Sequence, residues 1–170
     1  MSQTFSIELY FDPALENQVV KAWNILARRQ ISTQLIEIES RPHITLLSSP
    51  FLDPARHESV VKSFVSKQEP LALSFSSIGT FPNEKNVLFL APAPTMALLQ
   101  FQVQLCEAIK KEGIEIGKEF KADDWILYCS VAQEVPKNKN GGGILCVERV
   151  EVACFWLCNG YWIGGVSTCS

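Results

Sequence analysis

The chain has two histidines, His43 and His57. His43 lies in RPHITLL (residues 41–47), an apolar, β-branched run, with Thr45 two positions on. In a strand, positions i and i+2 point to the same face, so an imidazole and a hydroxyl would stand side by side. On the residues alone this pair fits two settings. It suits a core histidine bonded to backbone beside an ordinary strand threonine. It also suits half of a phosphate site, because imidazole takes or gives a proton near neutral pH and a hydroxyl can hold a phosphate oxygen. An in-line displacement at phosphorus needs a second acid or base on the far side. WILYCSVA (residues 125–132) supplies a matching pair, Tyr128 and Ser130, half the chain away.

Ordinary globular elements must position these pairs. FSIELY (5–10) alternates and predicts a strand. Asp12-Pro13 follows, an N-cap residue and a residue suited to the first helical position. Leu15, Val19, Trp23 and Leu26 then predict a helix to about Arg29. Asp53-Pro54 starts a second helix, with Val60, Val61 and Phe64 inward. A third follows APAPT, with Leu98, Phe101, Leu105 and Ile109 as its stripe. Strands are predicted at 35–38, 43–47, 71–78, 87–90, 125–132 and 144–158, and residues 161–170 are read as a tail. Long helices with few clean parallel crossovers favour an α+β fold with largely antiparallel sheets.

A length of 170 residues suits a single domain, or two small lobes sharing one core. The net charge of −3 argues against a strongly electrostatic nucleic-acid binder. No apolar run reaches the about 18 residues of a membrane span, so no membrane association is expected. MSQTFSIELYFDP lacks the pattern of a secretory signal, and none of the six cysteines forms a C-x-x-C pair. Reduced thiols in a cytoplasmic protein are expected. Cys154, Cys158 and Cys169 have irregular spacing and no nearby histidine, so no metal is expected. VVKAWNILARRQI is amphipathic, basic at one end and carries Trp23, as calmodulin-target helices do. Its apolar stripe is needed to cover a sheet, so calmodulin is not an expected partner.

RPHITLL resembles the first H-x-T signature of the two-histidine phosphoesterase superfamily, which includes RNA 2'-5' ligase-like proteins and 2',3'-cyclic nucleotide phosphodiesterases. WILYCSVA is similar to the second signature. LSFSSIGTFPNEKNVLFLAP (73–92) resembles the family's strand, glycine-phenylalanine turn and strand. The resemblance covers nearly the whole of 1–170. It implies one bilobal α+β domain, two antiparallel sheets with flanking helices around a central cleft lined by both signatures. It also implies chemistry without metal or cofactor, on a nucleotide or RNA end. A monomer is expected. His43 would then be catalytic, and Thr45 and Ser130 would bind phosphate.

The second signature departs from the pattern, because Tyr128 stands where the family has histidine. A tyrosine has a reference pKa of about 10 and is a poor base at neutral pH, though its hydroxyl can give a proton. Two readings stay open. One is a weak cyclic phosphodiesterase with His43 as base and Tyr128 as acid. The other is a non-catalytic nucleotide- or RNA-binding domain on the same scaffold. Trp125 and Phe81 are candidate base-stacking residues, each with core packing as the plainer alternative. His57 is expected to be a surface or boundary helix residue. Arg41 could neutralise phosphate, with a solvated strand edge as the plainer role. Lys137 and Lys139 lie in a Gly-rich loop, residues 136–143, that could close the cleft.

Overall fold

The computed structural model describes residues 4–81, 86–136 and 138, and the backbone of 162–169. Strand β1 (Thr4–Phe11) buries Ile7, Leu9 and Phe11 on one face and carries Ser6, Glu8 and Tyr10 on the other. Helix α1 (Pro13–Arg28) begins where predicted. The Asp12 carboxylate accepts from the Leu15 N–H at 2.8 Å, and Leu15, Val19, Trp23 and Leu26 are buried. After the single turn α2 (Gln34–Glu37) comes strand β2 (His43–Ser49). Helix α3 (Pro54–Val65) repeats the Asp-Pro start, with the Asp53 carboxylate accepting from the Ala55 N–H. Strands β3 (Phe75–Thr80) and β4 (Leu88–Pro92) precede helix α4 (Met96–Lys111), capped by Thr95. A 3-10 turn (Lys118–Phe120), β5 (Cys129–Ala132) and β6 (Trp162–Cys169) complete the described elements.

The strands form two antiparallel sheets, ordered β2-β1-β6 and β3-β4-β5. This is the α+β fold that the element order predicts. One apolar cluster serves both sheets: Leu9, Phe11 and Ile44 from the first meet Phe75, Leu90 and Val131 from the second. The Phe11 and Phe75 rings touch edge to face at 5.6 Å.

Several elements differ from the sequence expectation. Residues 35–37 lie in the helical turn α2 and Ile38 is its C-cap, with only Leu35 buried; a four-residue run carries no period that separates strand from helix. Of residues 125–132, only Cys129–Ala132 are strand. The preceding segment leaves a turn in which the Trp125 N–H donates to the Lys121 carbonyl at 2.9 Å. The strand predicted at 71–78 is observed at Phe75–Thr80. In α3, Val61 is buried whereas Val60 and Phe64 are half-buried. The tail holds β6, which pairs with β1 from Thr4↔Cys169 to Phe11↔Trp162; its paired glycines and polar end hide the alternation. The strand expected at 144–158, the loop lysines 137 and 139, and three of the cysteines (146, 154 and 158) fall outside the described residues.

The β1–β2 ladder contains a bulge. Ile7 pairs with Leu47 and Glu8 with Thr45, so Leu46 has no partner across the ladder. Its carbonyl is taken instead by Gln102 of α4, which is 1% exposed. The Gln102 amide donates to the Leu46 carbonyl at 3.1 Å and to the Phe120 carbonyl at 2.8 Å. One amide therefore ties the bulge, the long helix and the 3-10 turn together. Replacing it with leucine leaves the Leu46 carbonyl without its donor and the Phe120 carbonyl with only the weak Cys106 thiol at 3.8 Å, and a buried unmet acceptor costs about 1–3 kcal/mol. Gln102→Leu should lower stability to urea by that order. An unchanged midpoint would show that water reaches both carbonyls.

Candidate functional site

The bulge decides which face His43 occupies. Beyond it, Ile44 is fully buried, while His43 and Thr45 face away from the core. Tyr10 lies opposite His43 and Glu8 opposite Thr45. Four polar side chains from two adjacent strands therefore share one face.

His43 is oriented by the chain just before it. Its Nδ1 lies 2.6 Å from the Arg41 carbonyl, which can only accept, so Nδ1 carries the hydrogen. A neutral ring then presents the lone pair of Nε2. That nitrogen lies 3.7 Å from Glu8 Oε1, an ion pair when the imidazole is protonated. The Tyr10 ring meets the imidazole at 6.2 Å, near edge to face. The Arg41 guanidinium lies over Tyr10, 4.5 Å from the ring centroid, and is bound by Glu16 at 2.7 Å.

The second pair reaches the same place from the other sheet. Tyr128 immediately precedes β5 and Ser130 lies within it. Both join His43, Thr45, Glu8 and Tyr10 in lining a pocket of about 400 Å³. Three polar contacts hold this arrangement across the two sheets. The Trp125 indole N–H donates to the Thr45 carbonyl at 3.1 Å, the Trp23 indole N–H to the Ser130 carbonyl at 3.1 Å, and the Ser32 hydroxyl to the Gln133 carbonyl at 2.8 Å. Between the pairs lies Cys129, fully buried against the backbone of His43. Burial pushes its thiol up to about 12, with the His43 backbone acting weakly the other way. It is a spacer without nucleophilic character.

His43, Thr45, Tyr128 and Ser130 thus line the pocket, and so does Arg41. Trp125 and Phe81 stand elsewhere. Trp125 is 8% exposed, lies in the apolar cluster and is outside the pocket lining. Phe81 packs on Phe89 at 4.5 Å and on Tyr128 at 5.0 Å. Phe89 also touches Tyr128, at 5.6 Å, so the phenol stands against two aromatic rings. His57 is buried at 3% exposure, not on the surface, and its Nδ1 accepts from the Asp53 N–H at 3.0 Å. It closes the first turn of α3 and does not line the pocket. Sequence reasoning missed Glu8 and Tyr10. The signal was present: in FSIELYF, Ser6, Glu8 and Tyr10 put three polar residues on one face of an apolar strand.

A family model for the 2'-5' RNA ligase superfamily matches residues 11–141. The chain belongs to that superfamily. No curated protein gave a significant match. The superfamily match takes in His43, Thr45, Tyr128 and Ser130 but starts after Glu8 and Tyr10. Among the described residues, no helix is long and apolar enough to cross a membrane.

Gly79, in the sequence GTF, lies within β3. It pairs with Phe89 across β3 and β4, and any Cβ there would collide with the Phe89 ring. The ring therefore needs glycine beneath it to lie flat and back Tyr128. Gly79→Ala should displace Phe89, cost about 1–3 kcal/mol of stability, and shift the Tyr128 ring resonances. Unmoved resonances with unchanged stability would show that Phe89 does not position the phenol.

Proposed function

We propose that the pocket binds the cyclic phosphate of a nucleotide or RNA end and hydrolyses it slowly, without metal or cofactor. One observation carries this reading: His43, with Nδ1 committed to the Arg41 carbonyl, lines one pocket with Thr45, Tyr128 and Ser130. Nε2 is then the nitrogen left for proton transfer. Thr45 and Ser130 hydroxyls hold the non-bridging phosphoryl oxygens. A water oxygen bonds to phosphorus while its proton passes to His43 Nε2. One ribose P–O bond breaks, and the leaving oxygen takes the Tyr128 phenolic proton. The phenolate then regains a proton from the imidazolium by way of solvent. A phenol can protonate an alkoxide leaving group but is a poor base, so the roles run in this direction only. The free thiols at Cys106 and Cys129 suit a reducing, cytoplasmic setting.

A second reading is a binding domain that has lost turnover. It is favoured by the packing of Tyr128 against Phe81 and Phe89, which holds the phenol as a wall of the pocket.

Hydrolysis of 2',3'-cyclic mononucleotides with EDTA present separates the two. The expected result is slow turnover by the wild type, a loss of about 10²–10⁴-fold in His43→Ala, and a gain of similar size in Tyr128→His. A silent wild type with an active Tyr128→His would favour the binding domain. Silence in all three folded proteins would overturn the phosphodiesterase reading.

A further inference from the structure

Glu8 has no part in the chemistry above, yet it is the most buried charge at the site. It is 4% exposed and lines the pocket. Each carboxylate oxygen accepts from a hydroxyl, Oε1 from Ser6 at 2.6 Å and Oε2 from Tyr10 at 2.7 Å. Oε1 also lies 3.7 Å from His43 Nε2, so a group placed for proton transfer at Nε2 sits within a few ångströms of a fixed negative charge. The other charged side chains lining the pocket are Glu39 and Arg41, and Arg41 is already bound by Glu16. The described walls therefore offer an incoming anion little uncommitted positive charge.

We propose that Glu8 sets the charge the pocket accepts, admitting a singly charged phosphodiester and repelling a doubly charged phosphomonoester. The proposal rests on the reading of this pocket as a phosphate site. A diester carries one negative charge. A monoester carries about −1.5 to −2 near neutral pH, because its second pKa is about 6. Ring opening turns the first into the second: water supplies an oxygen to phosphorus, a ribose P–O bond breaks, and the product gains an ionisable P–OH. Glu8 therefore acts against the product more than against the substrate. It promotes release from a site whose hydroxyls would otherwise hold both.

Two probes that cannot form a cyclic phosphate test this by titration calorimetry near neutral pH with EDTA present. They are 2'-deoxyadenosine 3'-(methyl phosphate), singly charged, and 2'-deoxyadenosine 3'-monophosphate. The wild type should bind the methyl diester about 10-fold more tightly, and Glu8→Gln should remove the preference by strengthening the monoester. Equal affinities in the wild type, or a preference unchanged in Glu8→Gln, would overturn the proposal while leaving the phosphate site standing. If neither probe binds either folded protein, the phosphate-site reading falls and the proposal with it. Should Glu8→Gln not fold, the wild type decides alone with the 3'-phosphorofluoridate, close to the monoester in size but singly charged. Affinity like that of the methyl diester supports the proposal, and affinity like that of the monoester overturns it.

Discussion

The register of β2 against β1 is the constraint on which the site depends. Side chains alternate along a strand, so a slip of one residue would turn His43 and Thr45 into the core and bring Ile44 out. The bulge at Leu46 lets Leu46 and Leu47 both stay buried while the next residues resume alternation. Gln102 meets the carbonyl that the bulge frees. Without that donor the skipped residue would leave a buried acceptor unmet, and the register would lose its anchor.

From this register the rest of the pocket follows by a few long-range polar contacts. No hydrogen-bonded ladder joins the two sheets among the described residues. Indole N–H groups do part of that work. Trp125 reaches from the approach to β5 to the Thr45 carbonyl, and Trp23 reaches from α1 to the Ser130 carbonyl. Each indole bonds the backbone of a residue whose side chain faces the pocket. Because indole is large, rigid and carries a single donor, it can pack in the core and fix one carbonyl at the same time. The two tryptophans thus belong to the frame that holds the hydroxyls.

Much of the frame was legible in the sequence. The Asp-Pro starts, the helical stripes and the alternation of FSIELY each have a local physical cause and were found where that cause placed them. H-x-T and Gly79 were legible because each position needs a particular residue type. Other features had no local signature. Residues 35–38 are too few to show a period. Trp125 ends in the core because of a carbonyl on a strand far away in sequence. β6 was concealed by glycines that break the apolar alternation. Glu8 was visible as one of three polar residues on an apolar strand, but its meaning came only when the register set it beside Thr45 and near Nε2. His57 reads as a surface helix residue until its ring is seen closing the turn at Asp53.

The origin of Glu8 on β1 has an evolutionary consequence. The imidazole and the hydroxyls that line the pocket come from β2 and from the start of β5, whereas the buried carboxylate comes from a third segment that precedes the family match. The pocket's buried carboxylate and its hydroxyls thus sit on separate segments of the chain. A single-base change in a glutamate codon gives glutamine, of nearly the same shape, and would alter the pocket's charge while leaving the H-x-T strand untouched. The change that alters that charge falls on β1, outside both strands that carry the hydroxyls.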